Sequence, residues 1–370
     1  MDAFMTRFLR SPCMYKIAIP TPKSTELLIK VAYVSLNPTD YKHASVSLPP
    51  SRVIGCDFSG TVEILGEDVD QSKFSKGDRV AGIIHGCKDS HTGAFAEHLV
   101  ADANLCYKIP ENVSLEKAST IGVGWISAMQ ALRKHLYSNK PDANGAEETA
   151  STKWFWLRAA EFPLLVYSAA TNMGMHTVQQ ARLYHSEITI IALASARHHA
   201  YLQSLGANYT FDYSSPTVVE DVRGLKRDIR SGIDCHSEGS STHLAALCML
   251  PNGNDNLVGE DRRRIIRTLP PGLIRGSIPP SVRADEWILS YTALGKPFWF
   301  LFKYYPASPE DYRSSTDYLQ ALTPLLREQK VVPVKHRLMS GGLESISLGF
   351  DEMRLGRVRG EKLVYRVGGE

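Results

Sequence analysis

Leu164-Leu165-Val166-Tyr167-Ser168-Ala169-Ala170-Thr171-Asn172-Met173-Gly174 is the stretch whose reading decides the fold. Four apolar residues, short enough for a buried strand, run into a string of small and hydroxyl-bearing residues. A helix is predicted over 175–184. Residues 187–194 (E-I-T-I-I-A-L-A) read as a second buried strand, 198–205 as a helix stopped by Gly206, and Tyr209-Thr210-Phe211 as a third strand. A β-α-β-α-β order implies a parallel sheet with right-handed crossovers. Residues 233–235 and 264–269 look like further strands of it.

Ligands of a doubly wound sheet bind beyond the carboxyl ends of its strands. The small residues after Tyr167 let a backbone approach a pyrophosphate, and the following helix start offers free N–H groups and partial positive charge. Only Gly174 remains of a G-x-G-x-x-G pattern, and a strand-to-helix turn without a ligand has a similar composition. The second strand ends at Ala194-Ser195-Ala196-Arg197-His198-His199, with no acid to hold a ribose 2′-hydroxyl. A hydroxyl and a cation suit the 2′-phosphate of NADPH. Ser195 also reads as an ordinary helix cap.

Upstream, 26–34, 57–65 and 76–80 are strand-like runs with Gly turns, as in a barrel-like β domain. Residues 115–137 read as helical, and 138–152, with Pro141, Asn144 and Gly145, as an exposed loop. Trp154-Phe155-Trp156 reads either as packing onto the body or as a lid or partner contact. Residues 360–367 form a strand able to return to the first domain. The expected division is 1–137 with 296–370 as a catalytic domain and 138–295 as a cofactor-binding domain.

With 370 residues, 43% hydrophobic and 22% charged, the chain has the composition of a two-domain soluble enzyme. A net charge of +3, with Arg262-Arg263-Arg264 beside Glu260 and Asp261, does not argue for nucleic acid. No apolar run approaches the roughly 18 residues of a membrane span, and no secretory signal is read at the N-terminus. The six cysteines are scattered, without C-x-x-C spacing, so reduced thiols and a cytoplasmic location are expected.

Asn37-Pro38-Thr39-Asp40-Tyr41-Lys42, Gly55-Cys56-Asp57-Phe58-Ser59-Gly60, Gly77-Asp78-Arg79-Val80, Gly93-Ala94-Phe95-Ala96-Glu97 and Gly122-Val123-Gly124-Trp125-Ile126-Ser127-Ala128 follow one another in an order and spacing that resemble the medium-chain dehydrogenases/reductases. More narrowly the chain resembles the fungal trans-acting enoyl reductases of polyketide synthases, and Tyr291-Thr292-Ala293-Leu294-Gly295-Lys296-Pro297 and Gly360-Glu361-Lys362-Leu363-Val364 extend the likeness to the C-terminus. The resemblance implies an α/β fold: a GroES-like, β-barrel-type catalytic domain plus a Rossmann domain with a doubly wound parallel sheet. It implies a monomer that uses NADPH to reduce an α,β-unsaturated acyl group on the carrier protein of a polyketide synthase or synthase–peptide synthetase. It places Lys42 and Ser127 at the nicotinamide end and Ala170, Thr171, Asn172 and Met173 at the pyrophosphate. Ser195 and Arg197 fall at the 2′-phosphate, Tyr213 at the adenosine, and the segment from Tyr291 to Leu294 at the cofactor or acyl pocket. Zinc-dependent relatives have a Cys at the position of Asn37 and a His near Cys56, so a metal-free site is expected here. His43, His85, His91 and His98 lack metal-ligand spacing and read as ordinary core or surface histidines.

Hydride delivery to the β-carbon needs positive charge near the developing enolate, and Lys42 is the candidate, though it also reads as a surface partner of Asp40. Ser168, Asn172 and Met173 depart from the family turn, where Gly, Ala and Thr are common. Two alternatives therefore stay open: a free-standing quinone or enone reductase, and a non-redox isomerase, cyclase or synthase partner with weakened cofactor binding.

Overall fold

The computed structural model describes residues 1–8, 10–46, 50–136, 162–253, 257–273, 275–300 and 303–368. The expected loop at 138–152 and the Trp154-Phe155-Trp156 triplet lie outside the described residues. Two compact units are present, Met1–Ile126 with Tyr291–Glu370, and Ser127–Ser290.

In the first unit Glu26–Ser35 is the central strand. One of its edges pairs along its length with Asp57–Leu65, with register shifts at Leu28/Ile29 and Val31/Tyr33. Such bulges bend and twist a strand. The bend lets the other edge serve two partners: Glu26 to Lys30 face His98–Asp102, and Tyr33 to Ser35 face Lys362–Arg366. The C-terminal strand thus returns to the first unit. Phe350, from helix Ile346–Arg354, puts its ring 6.2 Å from Phe4 and 6.4 Å from Phe95, in a core shared with Leu27, Ile29, Phe58 and Leu99. Each such side chain contributes about 1.5–3 kcal/mol by burial. Gly55 has φ +97°, and a Cβ there would lie 2.3 Å from the Phe95 ring.

The helical stretch expected at 115–137 is two helices, Leu115–Ala118 and Gly122–Leu136. Between them Ser119 and Thr120 hydroxyls donate back to the carbonyls of Glu116 and Lys117, an alternative to the helical ladder.

The second unit holds a six-stranded sheet ordered Tyr209–Phe211, Ile190–Leu193, Leu164–Tyr167, Ser231–Asp234, Arg263–Arg267, Val282–Arg283. Every pair is parallel. In chain order this is 3-2-1-4-5-6, with the switch point between Leu164–Tyr167 and Ser231–Asp234. Leu164–Tyr167 and Ile190–Leu193 are buried throughout. Burial on both faces is why the sequence shows unbroken apolar runs there and no alternation.

Candidate functional site

The turn at the switch point begins at Ser168, which has φ 55°. A left-handed conformation costs an L-residue about 1–2 kcal/mol. It is held by Ala169 N–H to Leu193 O and Thr171 N–H to Ser168 O, both 3.0 Å. Thr171 then caps the helix Asn172–Tyr184, its Oγ1 accepting Gly174 N–H at 3.1 Å, so the helix starts earlier than the 175 expected. At Gly174 a Cβ would lie 2.7 Å from the Ala169 Cα and the Ser168 carbonyl. This glycine is therefore required by helix-to-turn packing, the task of the last glycine in a dinucleotide fingerprint.

Ala170, Thr171 and Asn172 are half-buried and Met173 is buried. The N–H groups of Asn172 and Met173 belong to the first helical turn, which leaves its donors without carbonyl partners and carries partial positive charge. Asn172 Oδ1 is buried with no hydrogen-bond partner among the described residues. An orphaned buried polar atom calls for a water or a ligand, and a side-chain amide presents either an acceptor or a donor. Small side chains, first-turn N–H groups and this amide fit the diphosphate of a dinucleotide.

Beyond the second strand, Ser195 Oγ lies 2.9 Å from the Tyr213 hydroxyl, and the Tyr213 ring stacks on Tyr167 with centroids 5.9 Å apart. The guanidinium Nε of Arg197 is exposed and donates to His198 Nε2 at 3.1 Å. The structure adds a residue that sequence reasoning missed. Asp212, just past the third strand, accepts the Ala196 N–H at 3.1 Å, and it accepts the Ser214 hydroxyl and N–H at 2.6 and 2.9 Å. Hydrogen bonds from Ser214 hold its carboxyl below the usual range. An acid thus stands beside the Ser195-Ala196-Arg197 segment, supplied by the third strand and not by the second, where a ribose-binding acid is expected. The spacing Asp212-x-Ser214 of an Asx-turn was the available signal. Ser127, also in the second unit, has its Oγ 2.6 Å from Ser290 Oγ.

In the first unit Lys42 is half-buried on the helix Pro38–Val46. At the head of that helix sits a buried polar network. Asp57 Oδ1 accepts Val123 N–H at 2.7 Å, and Oδ2 accepts Asn37 Nδ2 at 2.9 Å together with the Lys362 ammonium. Lys362 also donates to Asn37 Oδ1 at 3.1 Å. Both ends of the Asn37 amide are therefore engaged. Among the described residues no group of three or more His, Cys, Asp or Glu is placed to hold a metal ion.

Tyr291 lies between two imidazoles. Its ring centroid is 4.0 Å from that of His85 and 5.4 Å from that of His43, with near-parallel planes. Its hydroxyl is 2.7 Å from Thr39 Oγ1, 3.3 Å from His43 Nδ1 and 3.7 Å from Cys56 Sγ. Burial lowers His43 to about 4 and His85 to about 3, so both rings are neutral at pH 7. Burial raises the Asp40 carboxyl to about 7, against the Asn37 N–H bond that lowers it. Nothing in local spacing connects these histidines with Tyr291.

A cavity of about 530 Å³ opens in the same unit, with Ile83, Ile84, His85 and Leu294 among its walls. Its size is that of an ordinary small-ligand pocket. Leu294, expected at a cofactor or acyl pocket, borders it.

A doubly wound parallel sheet in one unit, and a β-rich unit completed by the C-terminal strand, define a medium-chain dehydrogenase/reductase. Residues 23–111 match the alcohol dehydrogenase GroES-like domain family. The whole fold is similar to an alcohol dehydrogenase superfamily protein from Novosphingobium aromaticivorans, with TM-score 0.73 and 18% identity over 100% of both chains. It is also similar to the CurK enoyl reductase, with TM-score 0.70 and 16% identity over 99% of each. In sequence the chain is 34% identical to the trans-enoyl reductase resD of Aspergillus sclerotiorum, over 94% of this chain and 95% of that protein. It is 32% identical to the trans-enoyl reductase ACTTS2 of Alternaria alternata, over 95% and 94%. The chain belongs to the fungal trans-enoyl reductase family of the medium-chain dehydrogenases/reductases.

Proposed function

We propose that this protein is an NADPH-dependent, metal-free enoyl reductase that works in trans. Its substrate is an α,β-unsaturated acyl group on the carrier protein of a polyketide synthase or synthase–peptide synthetase, in fungal secondary metabolism. The observation that carries the reading is the turn at 168–174. It keeps the left-handed start, the capped helix and the one indispensable glycine of a dinucleotide site, with Ser168 in place of the usual first glycine.

The backbone of Ala170, Thr171, Asn172 and Met173 holds the diphosphate, Ser195 and Arg197 bind the 2′-phosphate, and Tyr213 flanks the adenosine. Bound nicotinamide in its reduced form supplies a hydride for the β-carbon of the enoyl thioester. Lys42 places positive charge near the thioester oxygen, where negative charge develops, and Ser127 helps to orient the nicotinamide end. The α-carbon takes its proton from solvent. The protein acts as a cytoplasmic monomer: its parallel sheet ends in the two-residue strand Val282–Arg283, which offers little ladder for pairing with a second copy. No helix among the described residues is long and apolar enough to cross a membrane.

Titration of the purified chain with NADPH, followed by fluorescence, tests the reading together with NADPH oxidation on an enoyl thioester. The expected result is saturable binding in the micromolar range and oxidation that requires the thioester. Absence of binding at millimolar NADPH overturns the reading. Product formed without NADPH points to a non-redox enzyme, and quinone turnover with no gain from a carrier points to a free-standing reductase.

A further inference from the structure

We infer that the cavity of the first unit binds the phosphate of a pantetheine arm at a rim formed by Lys23, Lys88 and Lys296, an inference that rests on the enoyl reductase reading. The cavity is graded. Ile84, Leu105 and Leu294 in its wall are 6%, 3% and 7% exposed, whereas Lys23 and Lys296 reach solvent and Lys88 is half-buried. An apolar interior beneath a cationic mouth suits a molecule that is uncharged along its length and anionic at one end.

The carboxylates in the same wall are already committed. Glu26 accepts the Lys23 N–H at 3.1 Å and faces Lys296 Nζ at 3.5 Å. Asp89 accepts the N–H groups of His91 and Thr92 and the Thr92 hydroxyl. Asp102 accepts the Asn104 N–H and the Tyr312 hydroxyl. Among the described residues neither Lys23 nor Lys88 forms an ion pair. Lys88 is held below the ordinary lysine range by burial first and then by the ammonium of Lys296, with Lys23 adding to it. A bound phosphate relieves that repulsion, and charge-assisted hydrogen bonds from ammonium groups are its natural partners. A pantetheine phosphate occurs both on carrier proteins and in coenzyme A, and the chemistry of the rim is the same for either.

The test is calorimetric titration of the full chain with 4′-phosphopantetheine and with pantetheine, which reads the site without turnover. The phosphorylated form is expected to bind about tenfold more tightly, and the preference to shrink as salt rises. The Lys88→Met/Lys296→Met double variant should cut that preference to about twofold, and Lys330→Met, in an exposed ion pair with Glu328, should keep it. Should the double variant fail to fold, Lys23→Met, at an exposed side chain, is expected to reduce the preference about threefold. Displacement of 4′-phosphopantetheine by a polyketide synthase holo-carrier domain assigns the carrier as its source, and displacement by coenzyme A assigns the free thioester. Equal affinity for the two pantetheines, or a preference unmoved by the lysine variants, overturns the site. Phosphate preference in a chain that never oxidises NADPH keeps the site and removes the enoyl reductase reading; the converse result keeps that reading and removes the site.

Discussion

Asp57 and Asp212 each receive a backbone N–H from the start of a helical segment beside a candidate site, yet their surroundings differ. Asp57 is 0% exposed and shares its carboxylate among Asn37, Val123 N–H and the Lys362 ammonium. Asp212 is partly exposed and answered by Ser214 and Ala196 N–H, with no cation bound to it in an ion pair among the described residues. A charge taken out of water has to be matched on the spot, so Asp57 is locked into one arrangement that ties the C-terminal strand to the first unit. A charge left near water is screened and tolerates change, so Asp212 is free to influence which ligand is preferred. Asp57 holds the architecture of the first unit, and Asp212 stands beside the segment proposed to meet the 2′-phosphate.

Replacing Lys362 breaks this contrast most severely. Lys362→Met leaves the Asp57 carboxylate buried without its cation, at an expected cost of about 3–5 kcal/mol in urea unfolding. Adding Asp57→Asn removes the orphaned charge and should recover most of the loss. A single variant that unfolds at the wild-type midpoint would show that the pair does not anchor the strand.

The pH dependence of the first unit comes next. The unfolded chain protonates His43 and His85 below about pH 6.5, whereas the folded chain holds them neutral down to about 4 and 3. Their contribution is therefore complete above pH 6.5 and is lost as pH falls. Asp40, raised to about 7 from 3.8, acts in the opposite sense and loses stability as pH rises between those values. Two imidazoles outweigh one carboxyl, so these three groups together should lower the unfolding free energy by about 2 kcal/mol from pH 6.5 to 4.5. In His43→Gln/His85→Gln the remaining groups, Asp40 and the half-buried His185 of the second unit at about 4, oppose each other, and the slope should flatten to near zero. A slope of unchanged size would exclude the buried imidazoles as its source.

The smallest effect sharpens the other side. Asp212→Asn removes a negative charge beside Ser195 and Arg197, and should tighten NADPH binding about two- to fivefold while leaving NADH nearly unchanged. The gain should fade at high salt. Equal effects on both nucleotides would remove Asp212 from the recognition of the 2′-phosphate.

Much of the second unit is legible in the residues themselves. The strand Leu164–Tyr167 lies where its apolar run predicts, because a fully buried strand leaves an unbroken local signature, and the half-buried Tyr209–Phe211 lies where its aromatic and β-branched residues predict. The turn at 168–174 is readable from its small residues, whereas the hydrogen bond between Ser195 and Tyr213 is not. The helix break at 119–121 is not legible, since Ser119 and Thr120 are neutral in composition and act only through their bonds to the preceding carbonyls. The roles of His43 and His85 are equally hidden. Their common partner Tyr291 lies far along the chain, and neither spacing nor periodicity encodes such a meeting.

By itself the sequence determined the β-α-β order, the parallel sheet, the site of the switch-point turn and the return of the last strand, because each follows from periodicity, residue size and turn chemistry within a short window. Only the tertiary structure decided that Lys362 neutralises Asp57, that Asp212 reaches Ala196, that Tyr291 sits between two neutral imidazoles, and that three lysines share one cavity rim. Those pairings depend on which distant segments pack together and how far water is excluded between them, and a linear pattern carries neither.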